Sequence, residues 1–202
     1  MAKLPAEARE KLPGLESATH DDMIVLREQL GRQPRGELFV CVRCPHGRPA
    51  VIVTLPAAGR GGPVPPLFWL CCPVASSRVG TLESRGSIAA VMDRLDSDEE
   101  AAAAFRRDEV EFGGLLLSLA GGDQPRQLVA RLEGRGAAGG AAGAVKCLHA
   151  HLAYRLALSG RPDDAYDTRE RSDEGVIGRW CEDMLAAEGG AWCERPPAAC
   201  VA

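Results

Sequence analysis

The chain has 202 residues, 26% of them charged and 46% apolar, with a net charge of −4 and only 4% aromatic residues. That length suits a single domain able to bury about 70% of its unfolded surface without a covalent staple. The acidic balance excludes a general nucleic-acid binder, which needs a basic footprint, and the scarcity of aromatics excludes a base-stacking platform.

Residues 1–17 read as a polar, proline-containing arm. They lack the apolar core of a signal peptide, and the longest apolar stretch, 64–75, is short and broken by proline. No membrane span is therefore expected, and the expected location is the cytoplasm. Thr19 with Asp22 predicts a helix start, with Asp21 and Asp22 in its positive first turn. Ile24, Val25, Leu26 and Leu30 supply an apolar face, and Gly31 is the expected stop. Residues 37–44 are β-branched and aromatic enough for a strand, the Cys-Pro-His-Gly at 44–47 reads as a turn, and 50–55 as the returning strand. A loop over 56–66 leads to a third short strand over 67–72, stopped by Pro73.

The remainder reads as helical. Ser76 or Ser77 and Ser87 can cap two helices, and Ser97 with Glu100 forms a capping box for a longer one. Gly113-Gly114 predicts a kink or a split in that longer helix. A short element over 128–132 lies between breaker-rich stretches at 121–127 and 134–144, and a helix is expected over about 145–158. A polar loop over 160–174, a helix over 174–187 and a proline-containing tail follow. The order predicts an α+β fold, a small antiparallel sheet of about three strands packed with several helices. The expected domain is 18–195, between the arm at 1–17 and a tail at 196–202.

The chemistry concentrates in Val145-Lys146-Cys147-Leu148-His149-Ala150-His151, which holds two of the four histidines and the only lysine after Lys11. Eight cysteines in a reducing compartment point to ligands, reactive thiols or small core residues rather than disulfides. Cys44 and Cys72 each end a predicted strand and precede a proline, Cys147 starts a predicted helix, and Cys193 lies near the end. Thiolates suit zinc or an iron–sulfur cluster, and imidazole suits zinc. Cys71 adjoins Cys72 on a strand and so faces the other way. On a regular helix Cys147 shares a side with His151, whereas Cys147 with His149 needs a non-helical first turn. The candidate metal ligands are Cys44, Cys72, Cys147, His149, His151 and Cys193.

Arg43-Cys44-Pro45, the aromatic strand ending in Cys72-Pro73, and Val145-Lys146-Cys147-Leu148-His149 together resemble a bacterial family, the domain-of-unknown-function 501 family. The resemblance runs over about residues 20–195 and implies a small cytoplasmic protein. It carries over Cys44, Cys72, Cys147 and His149, so resemblance and helical geometry point to different histidines, and both stay in the set.

Two other chemistries compete. The glycine run at 134, 136, 139, 140 and 143 precedes a helix bearing Lys146, which makes Lys146 a candidate contact for an anionic cofactor, although the Lys-Ser/Thr of a P-loop is missing. Cys147 beside Lys146 and a histidine could also act as a nucleophile. The expected function is a cytoplasmic protein with a structural or regulatory Cys/His metal site. The enzymatic alternative is a thiol- or metal-dependent activity on a phosphorylated small molecule.

Overall fold

The computed structural model describes residues 6–32, 34, 37–55, 68–120, 136–137, 143–159 and 174–192. In chain order these form α1 (Ala6–Lys11), β1 (Glu16–Ser17), α2 (His20–Leu30), β2 (Leu38–Arg43), β3 (Pro49–Thr54) and β4 (Phe68–Leu70). Five helices complete the set: α3 (Pro73–Ser84), α4 (Ser87–Ser97), α5 (Glu99–Ala120), α6 (Leu148–Ser159) and α7 (Val176–Ala187). The four strands make one antiparallel sheet in the order β1-β2-β3-β4, so the fold is α+β, with four strands where about three were expected. The expected loop at 56–66, the element at 128–132, nearly all of the 160–174 loop and the tail lie outside the described residues.

The hairpin forms because its turn residues suit it. Cys44 donates its amide to the Arg48 carbonyl and accepts from the Gly47 amide, both at 2.8 Å. Gly47 closes the turn at φ 75°, a left-handed backbone that favours glycine. Along β3 the side chains alternate: Val51 and Val53 join the main core, while Ile52 points to the opposite face. A register irregularity between Val40 and Val42 lets Phe39, Cys41 and Val42 all reach the main core. Both sheet faces are covered, which is why every residue of β3 is buried.

The smaller core lies between the sheet and α2, where Leu26, Leu38, Val40, Ile52 and Cys71 meet. α2 follows the sequence expectation closely. Thr19 and Asp22 form the reciprocal capping box, and Gly31 ends the helix in a left-handed conformation. Asp22 does more than cap: Arg43 of β2 grips both of its oxygens, at 2.8 and 2.9 Å, and so staples α2 to the sheet. The Arg43 guanidinium holds the Asp22 carboxyl down at about 2. A carboxyl depressed in the folded state stabilises it above the unfolded pKa, and that contribution disappears as pH falls through the folded value. Asp22→Asn is therefore expected to flatten the acid limb of the stability curve between about pH 4 and pH 2. Urea unfolding across that range checks it; an acid limb identical to wild type would contradict the staple.

The larger core joins the other sheet face to α3, α5, α6 and α7. At its centre Phe68, Phe112 and Tyr154 form an aromatic triangle with centroid separations of 5.2–6.2 Å. Such pairs contribute about 0.5–1.5 kcal/mol each beyond simple burial. α5 runs unbroken through Gly113-Gly114 for 22 residues, contrary to the expected kink. Phe112, Leu115, Leu116 and Leu119 are buried around the pair, and their packing outweighs the glycines' cost of about 1 kcal/mol each. Residues 1–17, expected as an arm, contain α1 and β1, and Leu12 is buried in the main core.

Two buried carboxylates of α5 tie distant backbone to it. Asp108 accepts from the amides of Gly175 and Val176 at 2.7 and 2.6 Å, capping α7. Glu109 accepts from the amides of Ala137 and Gly143, both at 3.2 Å, so the glycine run delivers these two amides to an internal carboxylate.

Candidate metal centre

The expected helix over 145–158 begins three residues later, at Leu148. The cause is an acceptor brought from far away: Glu83, in the last turn of α3, takes the Leu148 amide onto Oε1 at 2.6 Å. Cys147 therefore stands just outside the helix, and the non-helical geometry that Cys147 and His149 require is present. The same Glu83 oxygen lies 3.1 Å from His149 Nδ1. The other ring nitrogen, Nε2, lies 3.0 Å from the Ser76 carbonyl oxygen, about two turns back along α3.

Ligand atoms of Glu83, Cys147 and His149 lie within 4.8 Å of one another, the one such set of three among the described residues. All three side chains are half-buried. A hydrogen bond to Cys147, and then the Glu83 carboxylate, raise the His149 pKa to about 9 against the opposing effect of desolvation. Cys181 of α7 is buried. Desolvation, then the charges of Glu182, Glu83 and Cys147, push its thiol up to about 12.

The other expected ligands are placed elsewhere or lie outside the described residues. Cys44 and Cys72 are buried in the main core, Cys44 closing the hairpin turn and Cys72 at the start of α3, and neither joins the cluster. His151 faces inward, edge-on to Phe105 at 5.9 Å, with Nε2 buried and, among the described residues, without a hydrogen-bond partner. Desolvation lowers its pKa to about 4, so it is neutral at physiological pH. Lys146 is exposed, and the helix-start amide beyond it is already held by Glu83. Cys193 lies outside the described residues.

Glu83 was not in the expected set. Its signal is electrostatic: a carboxylate in a helix's last turn opposes the helix dipole and needs a compensating partner elsewhere. Here the partners are the positive start of α6 and the His149 ring.

A family model described as "Protein of unknown function (DUF501)" matches residues 40–163, more than half of the chain. The chain belongs to this family. The DUF501 match contains β3, β4, α3 to α6 and all three residues of the cluster, and it ends before α7. No curated protein and no solved structure matches the chain. Among the described residues, no helix of this DUF501 protein is long and apolar enough to cross a membrane.

Proposed function

We propose that this chain is a zinc-binding protein whose ion, held by Glu83, Cys147 and His149, locks the end of α3 to the start of α6. The observation that carries this reading is the orientation of the His149 ring. A carbonyl oxygen only accepts, so the Ser76 contact keeps a proton on Nε2. Backbone carbonyls fix the tautomer of metal-binding histidines in this way. Nδ1 then faces a carboxylate that also only accepts, and that gap requires a cation, either a proton or a metal ion. Tetrahedral zinc with bonds of about 2.0–2.3 Å sets its ligands roughly 3.3–3.8 Å apart, a separation that the cluster reaches with small movements. One thiolate with a nitrogen and an oxygen suits zinc, whereas an iron–sulfur cluster needs several thiolates. The reading needs a reduced Cys147, which fits a cytoplasmic location.

The fourth position is left for water or for a ligand from outside the described residues, Cys193 among them. Zinc removal is expected to destabilise the fold, because the ion binds the folded arrangement only. The test is metal content and thermal stability of protein reconstituted with zinc and dialysed. About one zinc per chain is expected in wild type, with a melting temperature that a chelator lowers. Cys147→Ser and Glu83→Gln should each weaken zinc binding by more than the ten- to roughly hundredfold typical of losing an outer-shell partner. Wild type that retains no zinc, or variants that retain it fully, would reject the site.

A further inference from the structure

A second site lies on the opposite chemical footing. The end of α4, the first half of α5 and the start of α7 flank an open-mouthed cavity of about 220 Å³ lined by Arg94, Arg107, Arg179 and Trp180. The room comes from Ala101 and Ala104, which present one turn of α5 to the cavity with almost no side chain. Three arginines therefore line one small concavity in a chain whose net charge is −4.

Two carboxylates, Asp98 and Glu100, also line the cavity, so the balance of charge is positive. Asp98 is already engaged, accepting the Ala101 amide on Oδ1 at 2.9 Å as the cap of α5. Among the described residues neither Arg94 nor Arg107 pairs with a carboxylate. Arg94 lies over the Trp180 ring with its guanidinium carbon 3.9 Å from the centroid. Stacking on the face orients a guanidinium while its N–H edge remains able to donate. A cation held in place this way loses less freedom when it takes a ligand. The amides at the start of α7 belong to Asp108, so the arginines, not the helix terminus, supply the donors.

We propose that this cavity binds a small phosphate-bearing anion. Guanidinium groups match phosphate oxygens in paired hydrogen bonds, and several arginines lining one concavity suit an anion with more than one charge. The volume is below the roughly 300–1,000 Å³ of sites for larger organic ligands, so the anion is compact. This site shares no residue with the zinc cluster, and neither proposal depends on the other.

The probe is inorganic phosphate, titrated into the full-length protein by calorimetry at low salt. Wild type is expected to show saturable binding at one site per chain, weakening as chloride is raised. Arg107→Ala should lower the affinity by about tenfold or more, with Arg107→Lys in between. Arg107 is exposed and makes no ion pair among the described residues, its charge only helping to hold the neighbouring Asp108 carboxyl down, so thermal unfolding of the variant should stay close to that of wild type. Arg32→Ala, remote in the fold on Trp69, is the control and should bind as wild type does. No saturable binding by wild type, equal affinity in Arg107→Ala, or equal loss in Arg32→Ala would each overturn the proposal. Succinate binding as tightly as phosphate would overturn the assignment to phosphate.

Discussion

Gly178→Ala is expected to destabilise the protein by about 3 kcal/mol or more, although the same change in an open helix stabilises by up to about 1 kcal/mol. Gly178 lies inside α7 where it crosses α6. A methyl group there would sit 2.5 Å from the His151 carbonyl oxygen and closer still to Cβ of Arg155. The obstructing atoms are backbone and the base of a side chain, so rotation cannot relieve the overlap and the helices must separate. Separation would also loosen the buried Arg155–Glu182 ion pair, 3.3 Å between α6 and α7. A buried charge that loses its partner is strongly unfavourable. Gly80→Ala in α3 is the internal comparison, since a methyl group there meets nothing within 4 Å. Urea midpoints should fall sharply for Gly178→Ala and hold or rise for Gly80→Ala; a midpoint for Gly178→Ala at or above wild type would contradict the close crossing.

Asp108→Ala should cost about 3 kcal/mol, because it leaves two amides buried without an acceptor at roughly 1–3 kcal/mol each. Gly175 and Val176 are both buried, so solvent cannot readily replace the carboxylate. Burial pushes the Asp108 carboxyl up, while the two amide bonds hold it down. Asp108→Asn keeps one acceptor oxygen and should lose roughly half as much stability. Hydrogen exchange adds a local readout: the Gly175 and Val176 amides should exchange much faster in Asp108→Ala. Unchanged exchange at both positions would show that the cap is not what protects them.

Elements with local causes were legible in the sequence. The capping box of α2, its glycine stop and the hairpin turn at Gly47 are each fixed by residues within four positions of one another. β1 was not legible, because two exposed polar residues carry no alternation, and pairing with Phe39 and Val40 alone makes them a strand. The start of α6 was misplaced for a related reason. Val145 fits the apolar stripe of Leu148, Leu152 and Leu156, but the acceptor that fixes the helix's first turn comes from 65 residues away. That shift decides which histidine stands beside Cys147, so the part of the site left open in the sequence was the part set by a long-range contact. Glu83 was missed for the same reason: its partners are a backbone amide and a ring 66 residues on.

The sheet has a further consequence for behaviour in concentrated solution. Among the described residues its two six-residue strands are central, and the edge strands β1 and β4 have two and three residues. An edge that short offers a passing chain few free amides and carbonyls to template against. The most β-prone segments, Leu38–Arg43 and Pro49–Thr54, thus pair with each other and are fenced on both sides. The native protein should resist strand-by-strand assembly into fibrils, and any fibril-forming hazard should arise only when the hairpin is exposed by unfolding.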